Sequence, residues 1–140
     1  MSEASPDPVL VVDDDADIRD TLQSILELYG QPVVTARDGA DALVQLRGGV
    51  RPCLILLDLM MPRMNGAQFR EEQLRDPAFR SLPVVVLSGD AKAEARAAAL
   101  GVEGLRKPVD LEVLLAVVGR YCPTTDLARP RLPPGGEGLQ

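Results

Sequence analysis

Short uninterrupted apolar runs alternate along this chain with longer stretches in which apolar positions recur at helical spacing. Val9-Leu10-Val11-Val12 is the first run, and its lack of polar alternation predicts a strand covered on both faces of a parallel sheet. From Ala16 to Tyr29 the residues Ile18, Leu22, Ile25 and Leu26 fall on one helical stripe, and Gly30 supplies a stop. Pro32 to Ala36 reads as a second strand. Asp38 then caps a helix with Ala42, Leu43 and Leu46 inward, ending at Gly48-Gly49. Cys53-Leu54-Ile55-Leu56-Leu57 is a third strand. Behind it Pro62 to Gly66 forms a loop, with proline setting the turn and Gly66 expected at an unusual backbone angle, before a helix near Ala67–Arg75. Val84-Val85-Val86-Leu87 is the fourth strand, followed by an alanine-rich helix from about Ala91 to Leu100. Gly104-Leu105-Arg106 makes a short fifth strand, and Asp110 to Tyr121 a last helix.

Strands alternating with helices predict an α/β fold with right-handed crossovers over residues 9–121. Residues 1–8 are polar and residues 122–140 are rich in proline and glycine, and both are expected to be disordered tails. Two helices invite more than a packing account. The alanine-rich one has only Leu100 as a large apolar residue, which predicts weak anchoring and movement on activation. In the last helix Leu111, Leu114, Leu115 and Val118 form a core stripe. Val113, Val117 and Tyr121 form a second stripe, either a wide buried face or a partner or dimer surface.

Composition removes whole classes of chemistry. Of 140 residues, 46% are hydrophobic and 26% charged, enough for a packed core. A net charge of −6 disfavours nucleic acid as a partner. The absence of histidine excludes imidazole bases, His-assisted nucleophiles and His-ligated zinc. Cys53 and Cys122 stand far apart with no CxxC motif, which predicts neither a disulfide framework nor a thiolate metal site and fits a reducing compartment. Apolar runs fall short of a membrane span and no signal region precedes Val9, so a cytoplasmic protein is expected.

In a parallel α/β sheet, functional groups gather at the carboxyl ends of the strands. The first strand is followed by Asp13-Asp14-Asp15, the third by Asp58, the fourth by Ser88-Gly89-Asp90 and the fifth by Lys107-Pro108. Two carboxylates at ~4 Å repel by about 4 kcal/mol at the effective dielectric of a protein surface. One lysine cannot relieve several such pairs, whereas a divalent cation can. Hard oxygen ligands select Mg2+, or Mn2+, with coordination sites left for a phosphate oxygen.

These segments in order — Val9 to Asp15, Leu54 to Gly66 with Asp58, Pro62 and Asn65 inside it, Val86-Leu87-Ser88-Gly89, and Lys107-Pro108 — resemble the receiver domain of two-component response regulators. The resemblance covers Val9 to Tyr121. It implies a flavodoxin-like, doubly wound (βα)5 sheet of five parallel strands in the order 2-1-3-4-5. It makes Asp58 the phosphoacceptor for a phosphohistidine of a sensor kinase or phosphotransfer protein. Asp14 would ligate Mg2+ directly and Asp13 through water, with Asp58 and the Met60 carbonyl completing the protein ligands. Ser88 and Lys107 would hold the phosphoryl group, and the Lys107-Pro108 bond would be cis. Met60 and Asp90, each two positions beyond a site residue, would set the lifetime of the acyl phosphate.

Two departures from the pattern stand out. The aromatic expected three positions before the lysine is replaced by Gly104, followed by Leu105, and the segment from Gly101 to Lys107 is one residue short. Three acids, Asp13 to Asp15, also compete for two metal-binding roles, with strand register favouring the first two. The resulting expectation is a stand-alone switch that catalyses only its own phosphotransfer and dephosphorylation. It would signal to a downstream protein, as a monomer or as a dimer through the last helix, without nucleic acid or membrane partners. The alternative is a degenerate receiver acting as a non-phosphorylated scaffold. A haloacid-dehalogenase-type hydrolase would need an acid where Met60 stands, and a flavodoxin-type carrier a phosphate loop where Asp13–Asp15 would repel phosphate.

Overall fold

The uninterrupted apolar runs all become inner strands or strand cores of one sheet. The computed structural model describes residues 7–61 and 63–122. Five strands, β1 (Val9–Val12), β2 (Val33–Ala36), β3 (Leu54–Asp58), β4 (Val84–Ser88) and β5 (Glu103–Arg106), pair in parallel in the order β2-β1-β3-β4-β5. Each is followed by a helix: α1 (Ala16–Leu28), α2 (Gly39–Arg47), α3 (Gly66–Arg75), α4 (Ala93–Ala99) and α5 (Leu111–Tyr121). This is the doubly wound, flavodoxin-like topology expected.

Side-chain alternation divides the core between the two faces of the sheet. Val9, Val11, Leu54, Leu56, Val85 and Leu87 pack under α1 and α5, against Leu22, Leu26, Leu114, Val117 and Val118. Leu10, Val12, Ile55, Leu57 and Val84 face α2 and α3, against Leu43, Leu46 and Phe69. Each such side chain contributes roughly 1.5–3 kcal/mol on burial. Register aligns the strand ends: Val12 pairs with Ala36 and Leu57, Asp58 with Leu87, and Ser88 with Arg106. The residues just beyond β1, β3, β4 and β5 therefore share one edge.

Several expectations need correction. Gly66 does not occupy the left-handed region; Arg63 does, at φ 64°. Gly66 is there for space, because a Cβ on it would lie 2.7 Å from the Asp58 carbonyl oxygen and 2.9 Å from the Leu59 Cα. It opens α3 rather than the preceding loop, behind an Asn65 cap whose side chain and Gln68 form a reciprocal capping box. Pro62 lies outside the described residues. In α5, Val117 is 3% exposed and belongs to the core, so it offers no partner surface, whereas Leu111, assigned to the core stripe, is 42% exposed. Val113 is exposed, and Tyr121 half-buried.

The largest correction concerns sulfur. Cys53 and Cys122, 69 positions apart, form a disulfide with Cα atoms 5.5 Å apart, joining the entry to β3 with the end of α5. Sequence separation says nothing about proximity when a sheet brings the start of one strand beside the end of a helix. Cys122, assigned to a tail, thus closes α5. Asp7 and Pro8, also assigned to a tail, are tied to the fold, the Asp7 carbonyl accepting from Gln31 Nε2 and the Pro8 carbonyl from the Cys53 N–H. The remaining tail expectations, on residues 1–6 and 123–140, lie outside the described residues.

Candidate functional site

The site is assembled where four strand ends meet. Asp13 follows β1 and is buried. One of its carboxylate oxygens accepts the Asp15 N–H at 2.9 Å and the other the Lys107 ammonium at 2.8 Å. Asp14 is exposed and Asp58, at the end of β3, is buried. Carboxylate oxygens of Asp13, Asp14 and Asp58 lie within 4.8 Å of one another. Asp15 stands apart: it caps α1, accepting from the N–H groups of Asp17 and Ile18. Among the three neighbouring acids, the geometry groups Asp13 and Asp14 with Asp58.

Lys107 is the counter-charge. Its ammonium also reaches Asp58 Oδ1 at 3.5 Å, and the Met60 N–H donates to the same oxygen at 3.3 Å. Asp58 Oδ2 has no hydrogen-bond or ion-pair partner among the described residues. Burial, then the negative charge of Asp13, push the Asp58 carboxyl up to about 6, against the pull of Lys107 and the Met60 N–H. Burial would lower the Lys107 ammonium, but its bond to Asp13 and the charges of Asp58 and Asp13 outweigh that and raise it. One ammonium cannot neutralise three clustered carboxylates. A hard, all-oxygen donor set with one exposed member is what a small divalent cation requires, so the residues fit Mg2+ or Mn2+.

Ser88 ends β4 buried, and its Oγ accepts the Asp90 N–H at 3.1 Å, which leaves the hydroxyl hydrogen free to donate elsewhere. Its carbonyl accepts the Lys107 N–H at 2.8 Å, locking the fourth and fifth strand ends together. The Lys107-Pro108 bond is cis. The Asp90 carboxylate accepts from the Lys92 N–H and from Arg96 Nε. Met60 is 72% exposed at the rim.

Sequence reasoning missed a support beneath the loop that carries Met60. Asp38, buried at the start of α2, takes the Asp41 N–H and the guanidinium of Arg63, twenty-five residues away. Burial works to raise the Asp38 carboxyl, but these partners hold it below the usual range. The Met64 carbonyl accepts the Gly39 N–H at 3.1 Å, so the loop is fastened to α2 twice. Asp38 announced itself only as a helix cap; no local pattern ties it to Arg63.

Comparison with known proteins bears on the fold that carries these residues. A family model described as "Response regulator receiver domain" matches residues 9–119. Protein PilG of Pseudomonas aeruginosa is 36% identical over 120 residues, covering 83% of this chain and 87% of that protein. Response regulator MprA of a Mycobacterium species is 40% identical over 114 residues, and there the match spans 79% of this chain but 48% of the relative. Among solved structures, a response regulator receiver protein from Pseudomonas putida superimposes with a TM-score of 0.76 at 33% identity, covering 84% of this chain and 99% of that one. The Vibrio cholerae chemotaxis protein CheY4 gives 0.74 at 31% identity, covering 83% and 98%.

Proposed function

From the premise that the chain belongs to the response regulator receiver family, we propose that it takes a phosphoryl group from a phosphohistidine of a partner kinase, or of a histidine phosphotransfer protein, onto Asp58. The observation that carries this reading is the convergence of Asp13, Asp14 and Asp58 with Lys107 at one sheet edge. Asp58 Oδ2, the oxygen without a partner among the described residues, attacks phosphorus. The phosphorus–nitrogen bond of the donor breaks, its electron pair passes to the imidazole nitrogen, and an acyl phosphate remains on Asp58.

Asp13, Asp14, Asp58 and the Met60 carbonyl are the groups that would hold Mg2+. Asp13 has both oxygens engaged already, which suits contact through water. Bound Mg2+ supplies positive charge against the carboxylates and the transferring phosphoryl oxygens. Lys107, already 3.5 Å from Asp58, follows the new negative charge, and the Ser88 hydroxyl donates its free hydrogen to a phosphoryl oxygen. Met60 and Asp90 flank the route of a hydrolytic water and set how long the acyl phosphate lasts. The readout is contact with a downstream protein, and Leu111 and Val113, on different faces of the first turn of α5, are exposed apolar residues available for it. Because its phosphoryl donor is made by kinases that consume ATP, the protein works in the cytoplasm. The rival reading, a non-phosphorylated scaffold, draws on Gly104 alone.

Intact mass after incubation with acetyl phosphate tests the proposal. A single phosphoryl adduct is expected that needs Mg2+ and disappears in Asp58→Ala. No adduct on folded protein, from acetyl phosphate or from a kinase, would favour the scaffold.

A further inference from the structure

The phosphoryl site makes no use of the cysteine pair at the opposite edge of the sheet. Cys53 sits at the entry to β3, whose far end carries Asp58, so the two places lie roughly 16 Å apart along the strand. We propose that Cys53 and Cys122 form a reversible thiol–disulfide exchange site, worked by small-molecule thiols and disulfides through a mixed disulfide at Cys53.

Two observations support it, and a third point rests on the function proposed above. The Cα atoms stand 5.5 Å apart, within the span a disulfide bridges without backbone movement. The two sulfurs differ in access. Cys122 is 1% exposed, packed among core residues such as Leu26, Leu54 and Val118, whereas Cys53 is only partly buried and Gln31 Nε2 stands 3.9 Å from its sulfur. An incoming thiolate therefore reaches Cys53 and not Cys122. In the reduced state Cys53 is again the sulfur within reach of a small disulfide, and the carbonyl oxygens of Asp7 and Pro8 stand nearer its Sγ, at 3.4 and 3.6 Å, than the Gln31 amide does. Finally, a protein that meets a cytoplasmic kinase lives where disulfides persist chiefly as transient, redox-sensing bonds.

The exchange balances without a metal or cofactor. For reduction, a thiolate RS− attacks Cys53 Sγ, the Cys53–Cys122 bond breaks, and Cys122 leaves and takes a proton. A second RS− then attacks the R-bearing sulfur of the mixed disulfide and releases Cys53. The sum is protein disulfide plus two RSH giving protein dithiol plus RSSR. Oxidation is the reverse, with RSSR accepting the two electrons. The part of the fold that feels the change is the last turn of α5. Oxidised, Cys122 is bonded to the entry of β3. Reduced, that turn is held by Val117 and Val118 in the core and by the Arg120–Glu103 ion pair.

The test uses reduced, folded protein, oxidised glutathione as the small disulfide, and intact mass. Wild type is expected to lose two hydrogens and keep no adduct, and dithiothreitol without denaturant is expected to reverse this. Cys122→Ser is expected to retain one glutathione on Cys53, while Cys53→Ser gains none, or gains it at least about tenfold more slowly. Hydrogen exchange is expected to slow about tenfold at Val118–Cys122 on oxidation, with acetyl phosphate labelling of Asp58 unchanged. Should a serine variant fail to fold, the wild-type oxidation and its reversal decide alone. Wild type that stays a dithiol, carries two adducts or cross-links between chains overturns the pairing. A bond that only denaturant exposes to reductant overturns its reversibility. Loss of phosphoryl labelling would be a separate failure, of the Asp58 assignment.

Discussion

Asp58 is a carboxylate asked to stay ionised in a buried place beside another carboxylate, and that conflict has a measurable consequence. Its folded value of about 6 lies above the 3.8 of a free carboxyl. Between those pH values the folded state keeps a proton that the unfolded state has released. In chelator, stability should therefore fall as pH rises from about 4 to about 6 and then level off, by about 3 kcal/mol in all. Urea midpoints at unit pH steps check this, and Asp58→Asn should remove the slope. Mg2+ should restore stability most above pH 6, where it finds the carboxylate ready. Lys107→Ala should push the end of the slope to higher pH, since it removes the one cation that opposes Asp13 and burial. The identities of these groups were legible in the sequence, because each follows a recognisable strand. Their pairing was not: that Lys107 holds Asp13 more closely than Asp58, and that Asp38 holds Arg63, depends on distances between residues far apart in the chain.

At the level of elements, α4 shows how a missing side chain becomes a packing device. The helix was expected from Ala91 to Leu100 and occupies Ala93–Ala99, with Ala93 and Ala97 fully buried. A Cβ on Gly104 would lie 2.6 Å from the Ala97 Cβ and 2.9 Å from the Ala93 carbonyl oxygen. The place where the resemblance expects an aromatic is thus filled by α4 itself, seated directly on β5. Gly104→Ala should lift α4, cost about 1–3 kcal/mol, and concentrate amide shifts in residues 93–99; a urea titration and an amide spectrum report both. Unchanged stability would mean that α4 yields freely, as expected of a weakly anchored helix. Strand and helix positions were legible because period two and period 3.6 are local properties. Which helix lies on which strand, and how closely, is a matter of the volumes that meet between them.

For the molecule as a whole, the disulfide spans more than half of the described chain. In the chain-entropy account, closing a loop of 69 positions removes unfolded-state freedom worth about 4 kcal/mol. Reductant should then lower the melting temperature by on the order of 10–15 °C, and Cys53→Ser should melt at the reduced value with or without reductant. Equal melting temperatures for oxidised and reduced wild type would show that the bond adds nothing to the fold. The phosphoacceptor edge should be indifferent to this change, because the length of β3, roughly 16 Å, separates the two edges.

The sequence alone determined the five strands, the five helices, the parallel topology through its family pattern, and which residues stand at the carboxyl edge. These follow from hydrophobic periodicity and from short motifs, which are carried by neighbours in the chain. Only the tertiary structure decided that Arg63 rather than Gly66 takes the left-handed turn, that Val117 faces the core while Leu111 faces solvent, and that Cys53 meets Cys122. The physical reason is the same in each case: the outcome depends on what another part of the chain places within a few ångströms, and a linear pattern carries no record of that neighbour.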